Sequence, residues 1–379
     1  MRIVLNGVET YNKGAELMLY AILQEIERKF PDAEVFIPYT SIPQGLSYVQ
    51  TSLKFSFKPL YPLIKYKVQG VLRRLGLPQR LYDIDAFPMK NVDYFIDGSG
   101  FIFSDQWNHS DFFVEHWRLL LLRMRHSGAK IVFLPQAFGP VDLDSTKKLF
   151  NYINKYSDIV MPREKISEKY LLDMNFSSDK ICRFTDFTSP VKGIVPQKYL
   201  HLKNAVCVIP NVRMIDKGVI SQEEYVKIIA EILTLCKAQN RKVFLLNHES
   251  IQDEELAYAC AAKLNNDIKV VSGLNALEVK GLISISYACI SSRFHGVASA
   301  LNSSVPCIAT SWSHKYAELF NDYGMIDCIL DLKNLDSIKS KVSEILNPQY
   351  NSMIREQLCV QLTKIKENTK RMWQTIWDV

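Results

Sequence analysis

The sequence predicts an α/β protein of two domains, each a parallel sheet with helices on both faces. Three observations predict it. Short apolar runs recur along the chain, each followed by a polar or glycine-marked turn and then by apolar residues at helical spacing. That alternation breaks once, in the Pro-, Gly- and Lys-containing stretch "TDFTSPVKGIVPQKYLHLKN" (185–204), and then resumes. The chain has 379 residues, 47% of them apolar, which is enough for two cores.

The elements follow in order. "RIVLNG" reads as a buried strand, and the segment after it carries Ala15, Leu17, Met18, Leu19, Ile22, Leu23 and Ile26 on one helical face. Asp32 to Pro38 reads as a second strand, and "VDYFIDGSG", "AKIVFLPQAFGP" and "SDIVMPREKISEKYLLDM" repeat the theme, giving a first domain over 1–190. After the break, "AVCVIP", "RKVFLLN", "IKVVS", "YACISS" and "PCIATS" supply the strands of a second domain over 204–345. Within it, Ile283 to Ile290 reads as a buried strand, Gly296 to Leu301 as a short helix, and Val305 to Thr310 as another strand. The last segment, 351–379, places Met353, Leu358, Val360, Leu362, Ile365, Met372, Trp373 and Ile376 at amphipathic spacing. It is expected to form a helix that packs back on the N-terminal domain. No repeat of 20–50 residues is visible.

Composition excludes several classes. A net charge of +6 is mild and is no nucleic-acid signature, so no nucleic-acid partner is expected. "MRIVLNGVET" meets a glycine within seven residues, so no secretory leader is expected, and no apolar run reaches the length of a membrane span. The eight cysteines are scattered, with no CxxC pair and no histidine at zinc spacing, which implies reduced, buried thiols in a cytoplasmic protein, no disulfide and no metal. One stretch departs from the average. Val35 to Tyr82 has no Asp or Glu, yet carries Lys54, Lys58, Lys65, Lys67, Arg73, Arg74 and Arg80 among aromatic and aliphatic residues. This insertion, at about 45–82, reads either as a patch for an anionic membrane surface or as a segment packed on its own domain with a solvated basic face.

The chemistry-bearing residues sit at turns after strands. "NKGAELM" holds Asn12, Gly14 and Glu16; it is not GxGxxG and gives no support for a dinucleotide. "FIDGSG" ends a strand in Asp97, Gly98, Ser99 and Gly100, and "LPQAFGPV" places Gln136 similarly. Arg163 follows Pro162 at another strand end, Arg213 lies in "VIPNVRM", and His248 in "LLNHES". Arg293, His295 and Gly296 lie in "ISSRFHGVASALNSSVPCIATSW", between a strand and a helix, where free backbone N–H groups favour an anion. Each turn alone fits an ordinary connection. Jointly they bring charge and glycine to the carboxyl ends of strands in both domains, where open sheets bind ligands. No Ser-His-Asp order, HExxH motif or Walker loop is present.

These residues, in this order, resemble the polysaccharide pyruvyltransferase family over most of the chain. The resemblance rests on Asn12-x-Gly14-x-Glu16, on the "DGSG" strand end, on Gln136 with Gly139 and Pro140, on Arg163 with Ser167, and above all on Arg293-x-His295 with Ser299, Ala300, Leu301, Val305, Pro306, Lys315 and Gly324. Ser99 stands where a run of glycines is commoner, Phe294 where Leu is usual and Gly296 where Ala is usual. The resemblance implies a GT-B-like fold: two Rossmann-like domains facing across a cleft, the first for the acceptor and the second for the donor. It implies transfer of the pyruvyl unit of phosphoenolpyruvate (PEP) to two sugar hydroxyls, as a cyclic ketal, with release of phosphate. PEP would be a co-substrate, with no cofactor or metal. Arg293 and Arg163 would bind PEP because a guanidinium donates two hydrogen bonds to carboxylate or phosphate, with the helix start at His295 and Gly296 adding amides. His295 would be the acid, Glu16 the base or an acceptor-orienting group with Asp97 its rival, and Asn12, Gly14, Gly98, Ser99, Gly100, Gln136, Arg213 and His248 would line the cleft. If the basic insertion meets membrane, the acceptor is a lipid-linked saccharide at the inner face of the plasma membrane, in capsule or exopolysaccharide assembly.

Two other readings stay open. One is a GT-B glycosyltransferase holding a nucleotide-sugar diphosphate on Arg293 and His295, against which no acidic ribose-binding pair stands out near the second-domain turns. The other is a non-catalytic glycan-binding relative, which the departures at Ser99 and Gly296 would fit.

Overall fold

The computed structural model describes residues 1–10, 12–37, 57–59, 71, 74–75, 91–310, 314–330, 332 and 334–378. The basic and aromatic stretch expected at about 45–82 lies outside them except at 57–59, 71 and 74–75. The chain divides into two compact units, Met1–Phe187 with Asn368–Val379, and Thr188–Glu367.

The first unit runs β1 (Arg2–Asn6), α1 (Lys13–Lys29), β2 (Glu34–Ile37), β3 (Phe57–Pro59), β4 (Tyr94–Asp97), α2 (Asp111–His126), β5 (Lys130–Gln136), α3 (Asp144–Tyr156), β6 (Ile159–Pro162) and α4 (Lys165–Asp173). Its parallel sheet has the order β3-β2-β1-β4-β5-β6. β4 and β6 are buried at every position and β5 at all but its first, which is why they read as continuous apolar runs rather than alternating ones. α1 starts at Asn12, whose side chain accepts hydrogen bonds from the Gly14 and Ala15 amides at 2.8 and 3.3 Å. The core on one face gathers Phe103, Trp117, Phe133, Phe138 and Phe150 between β5, α2 and α3.

The second unit runs β7 (Val206–Ile209), α5 (Arg213–Asp216), α6 (Gln222–Ala238), β8 (Val243–Leu246), α7 (Ile251–Ala262), β9 (Lys269–Val271), α8 (Ala276–Ser284), β10 (Ala288–Ser291), α9 (Phe294–Leu301), β11 (Cys307–Ala309), α10 (His314–Asp322), α11 (Leu335–Leu346) and α12 (Pro348–Trp377). The parallel order is β11-β10-β7-β8-β9. Reciprocal capping boxes start α6 (Ser221 with Glu224), α7 (Ser250 with Asp253) and α8 (Asn275 with Glu278). α12 begins in the second unit and ends in the first, where Trp377 packs edge-on against Phe30 and Tyr94 at 5.1 and 5.2 Å and donates from Nε1 to Glu25 at 3.0 Å.

In both units the first strand is central and the chain turns to its other side once, between β1 and β4 and between β7 and β10. Those are the switch points where open α/β sheets form ligand sites. One expectation is corrected here. Ile283 and Ser284 end α8, and the strand is only Ala288–Ser291. The apolar run continues from a buried helix end into a buried strand, and periodicity over so short a run does not separate them. The helix after Arg293 also starts at Phe294, two residues before the expected Gly296.

Six cysteines are buried, with Cys207, Cys289 and Cys307 side by side across β7, β10 and β11, and all eight thiols are free. Burial pushes the Cys236 and Cys260 thiols up to about 12, so neither supplies a thiolate near neutral pH. Among the described residues no helix is long and apolar enough to cross a membrane, and no group of three or more His, Cys, Asp or Glu is placed to hold a metal.

Candidate functional site

In the first unit the expected turns interlock at the switch point. Asp97, wholly buried at the end of β4, accepts from Asn6 Nδ2 on β1 at 2.9 Å, Ser99 Oγ at 2.7 Å, Gln136 Nε2 on β5 at 3.0 Å and the Ser99 amide at 3.3 Å. Burial raises the carboxyl above its usual range, and these donors oppose the rise. Its oxygens are thus committed to holding three strand ends together. Gly7, at φ +70°, lies against the same loop: a Cβ there would sit 2.6 Å from the Ser99 backbone. Gly100 shares the left-handed backbone, at φ +75°, whereas at Gly98 the constraint is space, a Cβ there lying 2.8 Å from the Val8 side chain. Gly7→Ala should destabilise the first unit by about 2 kcal/mol, read by urea unfolding, because it meets both a left-handed backbone and another backbone.

Asn12 is spent on capping α1. Gly14 and Glu16 follow in its first turn, Glu16 buried at 2% exposure and paired with Lys13 Nζ at 3.0 Å. Gln136 is wholly buried and keeps its Oε1 without a hydrogen-bond partner. Its backbone carbonyl accepts from the Arg163 amide at 3.0 Å. The Arg163 side chain is nearly buried and lies 3.5 Å from the Glu164 carboxylate. Ser167 Oγ donates to Glu164 Oε1 at 2.8 Å and accepts from the Phe138 amide at 2.7 Å, tying the Arg163 turn to the loop after β5.

In the second unit the Arg293 turn crosses the other switch point. Asn211, after β7, donates from Nδ2 to the Ser292 carbonyl at 2.8 Å, and the Tyr316 hydroxyl donates to that oxygen at 3.0 Å. Ser292 Oγ is hydrogen-bonded to the Tyr225 hydroxyl at 2.6 Å and to Thr310 Oγ1, all of it buried. Arg293 is thereby fixed as the residue that caps α9. Its guanidinium, 11% exposed, makes ion pairs with Glu249 and Asp253. Burial pulls it down to about 10, still far above neutral, so it keeps its charge. Burial raises Asp253, whose Oδ1 accepts from the Val212 amide at 2.9 Å. His295 is in the first turn of α9, edge-on to Phe294 at 5.2 Å.

The other expected residues are placed less centrally. Arg213 is exposed and paired with Asp216 at 2.9 Å, and His248 is buried at 4% exposure beside Glu249. Gly296 has a local cause. A Cβ there would lie 2.5 Å from Ser291 Oγ, the atom that accepts from the Arg293 amide and donates to the Arg293 carbonyl, both at 3.0 Å. Gly296→Ala should therefore cost about 1 kcal/mol despite alanine's helix preference. With Ser291→Ala in addition, whose Cβ would be 3.5 Å away, the cost should fall, a non-additivity that a double-mutant cycle reads directly.

Sequence reasoning missed Asn6, Gly7, Glu9, Glu249 and Asp253. Glu9 is a half-buried carboxyl on the loop after β1, raised by desolvation. Glu249 and Asp253 stand where no acidic pair was expected; the polar run after β8 contained them, but nothing in the sequence linked it to Arg293.

The family model described as Polysaccharide pyruvyl transferase matches residues 12–314, and that span contains the expected site residues of both units. Among solved structures, a UDP-GlcNAc 2-epimerase from Neisseria meningitidis bound to UDP-GlcNAc is similar with TM-score 0.64 and 11% identity, each chain covered in full. HepE of Anabaena in complex with UDP gives 0.62 and 9%, again covering both chains fully. A glycosyltransferase from Rickettsia africae gives 0.58 and 15%, over 99% of this chain and 97% of that one. At such identities the likeness is one of fold, and the fold is of the GT-B type, two parallel sheets with helices on both faces.

Proposed function

Because the chain belongs to the polysaccharide pyruvyl transferase family, we propose that it moves the pyruvyl unit of phosphoenolpyruvate to two hydroxyls of a saccharide, forming a cyclic ketal and releasing phosphate. The observation that carries this reading is the Arg293–His295 turn: a charged, nearly buried guanidinium and an imidazole at the start of α9, at the second unit's switch point. The guanidinium suits the carboxylate and phosphate of PEP. Its two carboxylate partners differ in a useful way. Asp253 is sealed and held by a backbone amide, whereas Glu249 is 23% exposed. Asp253 orients the fork, and Glu249 yields its place to the incoming anion.

In the reaction His295 protonates the vinyl CH2 of PEP, which becomes the ketal methyl. A first sugar hydroxyl adds to the carbon so activated, the bond from that carbon to the phosphate oxygen breaks, and the second hydroxyl closes the ring. Of the two hydroxyl protons, one balances the proton gained by the methyl and the other leaves with phosphate. Glu16 orients the acceptor, Asp97 positions the loops around it, and Arg163 binds an anionic group from the first unit. The acceptor proposed is a bacterial surface polysaccharide or its lipid-linked precursor. Binding to anionic liposomes at low salt, lost when Lys65, Lys67, Arg73 and Arg74 are neutralised together, would support the lipid-linked form, and absence of binding removes it.

The test is a thermal-shift titration with PEP beside UDP- and GDP-sugars, followed by phosphate release with acceptor. PEP alone should stabilise the protein. His295→Gln should keep that stabilisation and lower phosphate release by about a hundredfold. The nucleotide-sugar reading gains one observation, the acidic pair Glu249 and Asp253 beside Arg293. Stabilisation by a nucleotide sugar and not by PEP would move the assignment there.

A further inference from the structure

Trp107 has no part in the chemistry above, yet its setting is unusual for a surface tryptophan. The residue is 59% exposed, while the indole is anchored: Nε1 donates to the Phe101 carbonyl at 2.6 Å, in the loop that begins with Gly98. The single 3-10 turn that carries it, Asp105–Trp107, is tied down at both ends. Ser104, wholly buried, accepts from the Gln106 amide at 3.3 Å and, through its carbonyl, from the Trp107 amide at 3.2 Å. The Asp105 amide donates to the Pro140 carbonyl at 3.0 Å, and the Asp105 carboxylate accepts from the Asp142 and Leu143 amides beyond β5. Asn108, left-handed at φ 44°, then turns the chain away. The turn that carries the ring is thus tied both to the start of its own loop, after β4, and to the loop after β5, at the carboxyl edge of the first sheet.

A large exposed apolar face costs solvation unless something covers it, and an aromatic ring whose orientation is already fixed loses little entropy when it is covered. The groups beside the ring say what kind of cover fits. Gln106 and Asn108, on either side of Trp107, are exposed and carry amides that both donate and accept. An exposed apolar ring with amide side chains on the residues next to it suits a pyranose, whose C–H face packs on an aromatic ring while its hydroxyls need donors and acceptors nearby. It matches an anion poorly, since the indole presents a negative face and no cation adjoins it in the turn. We propose that Trp107 is a stacking platform for a sugar ring of the acceptor saccharide, with Gln106 and Asn108 binding its hydroxyls. The proposal rests on the pyruvyl-transfer reading for the word acceptor and on the first unit alone for its geometry.

The experiment uses the full chain and a panel of simple probes: the methyl glycosides of galactose, glucose, mannose and N-acetylglucosamine. Binding is followed by saturation-transfer difference NMR and tryptophan fluorescence on wild type, Trp107→Ala and Trp107→Phe, with PEP thermal shifts on the same three proteins. At least one glycoside should bind the wild type. Trp107→Ala should weaken it roughly tenfold or more, and Trp107→Phe, which keeps a stacking face but not the N–H, by only about threefold. The PEP shift should be the same in all three, which also shows that the variants are folded. Binding of no glycoside by the wild type, or equal binding by Trp107→Ala, overturns the proposal. Glycoside binding lost in Trp107→Ala while PEP fails to stabilise even the wild type would leave the platform standing and remove the pyruvyl reading instead.

Discussion

Arg293→Ala should abolish stabilisation by PEP, lower PEP-dependent phosphate release by about a thousandfold, and destabilise the second unit by about 3–5 kcal/mol. The two effects have separate causes. The functional loss is that of the fixed cation at the head of α9, where charge develops on the departing phosphate. The structural loss comes from the carboxylates left behind. Asp253 is fully shielded from solvent and raised by burial, and without the guanidinium its charge is left to the Val212 and Ser250 amides, the Ser250 side chain and the field of Arg213. Arg293→Lys separates the causes. An ammonium satisfies one carboxylate as a point charge, so most of the stability should return, but it does not offer the planar fork to PEP, and the PEP shift should stay small. Glu249→Gln tests the exchange of partners: with one competing charge removed, PEP should bind several-fold more tightly. Tighter binding by Glu249→Gln together with loss in Arg293→Lys would fit a guanidinium handed from protein carboxylate to substrate. Unchanged PEP binding in Arg293→Ala would leave the turn as structure alone.

How far the site was legible follows from sequence distance. The strand runs "VLN", "YFID", "IVFLPQ" and "VCVI" announced themselves because strands of a parallel sheet buried on both faces carry apolar residues almost without interruption. The turns after them were visible too, since glycine and charge punctuate a buried run. What joins the turns was not visible. Asn6 meets Asp97 across 91 residues, Gln136 meets it across 39, and Glu249 meets Arg293 across 44. A single sequence carries no local signal for contacts of that separation. A different limit misassigned Ile283, where helix and strand shared one short apolar run, and left Trp107 unremarked, because an exposed aromatic on a short turn has no period to announce it.

Asp97→Ala should destabilise the first unit by about 4 kcal/mol, whereas Asp97→Asn should cost less than about 2 kcal/mol. Alanine strands three side-chain donors, from Asn6, Ser99 and Gln136, at a site where Gln136 is wholly buried. Asparagine keeps one acceptor for Asn6 and Ser99. Its new amide can donate to Gln136 Oε1, the oxygen that now has no partner, if the Gln136 amide turns over. The pH dependence separates this role from proton transfer. Because burial raises the folded-state value of Asp97, the folded protein binds that proton more tightly than the unfolded chain does. The stability Asp97 contributes relative to asparagine should therefore fall as pH rises from the ordinary carboxylate range through the raised value, with no further change above it. Urea midpoints of wild type and Asp97→Asn, compared across that window, read the sign directly. A gap that narrows with rising pH, with phosphate release retained in Asp97→Asn, fits a carboxyl that holds three strand ends together. Loss of turnover in Asp97→Asn with stability and PEP binding intact would return Asp97 to the chemistry, as the base in place of Glu16.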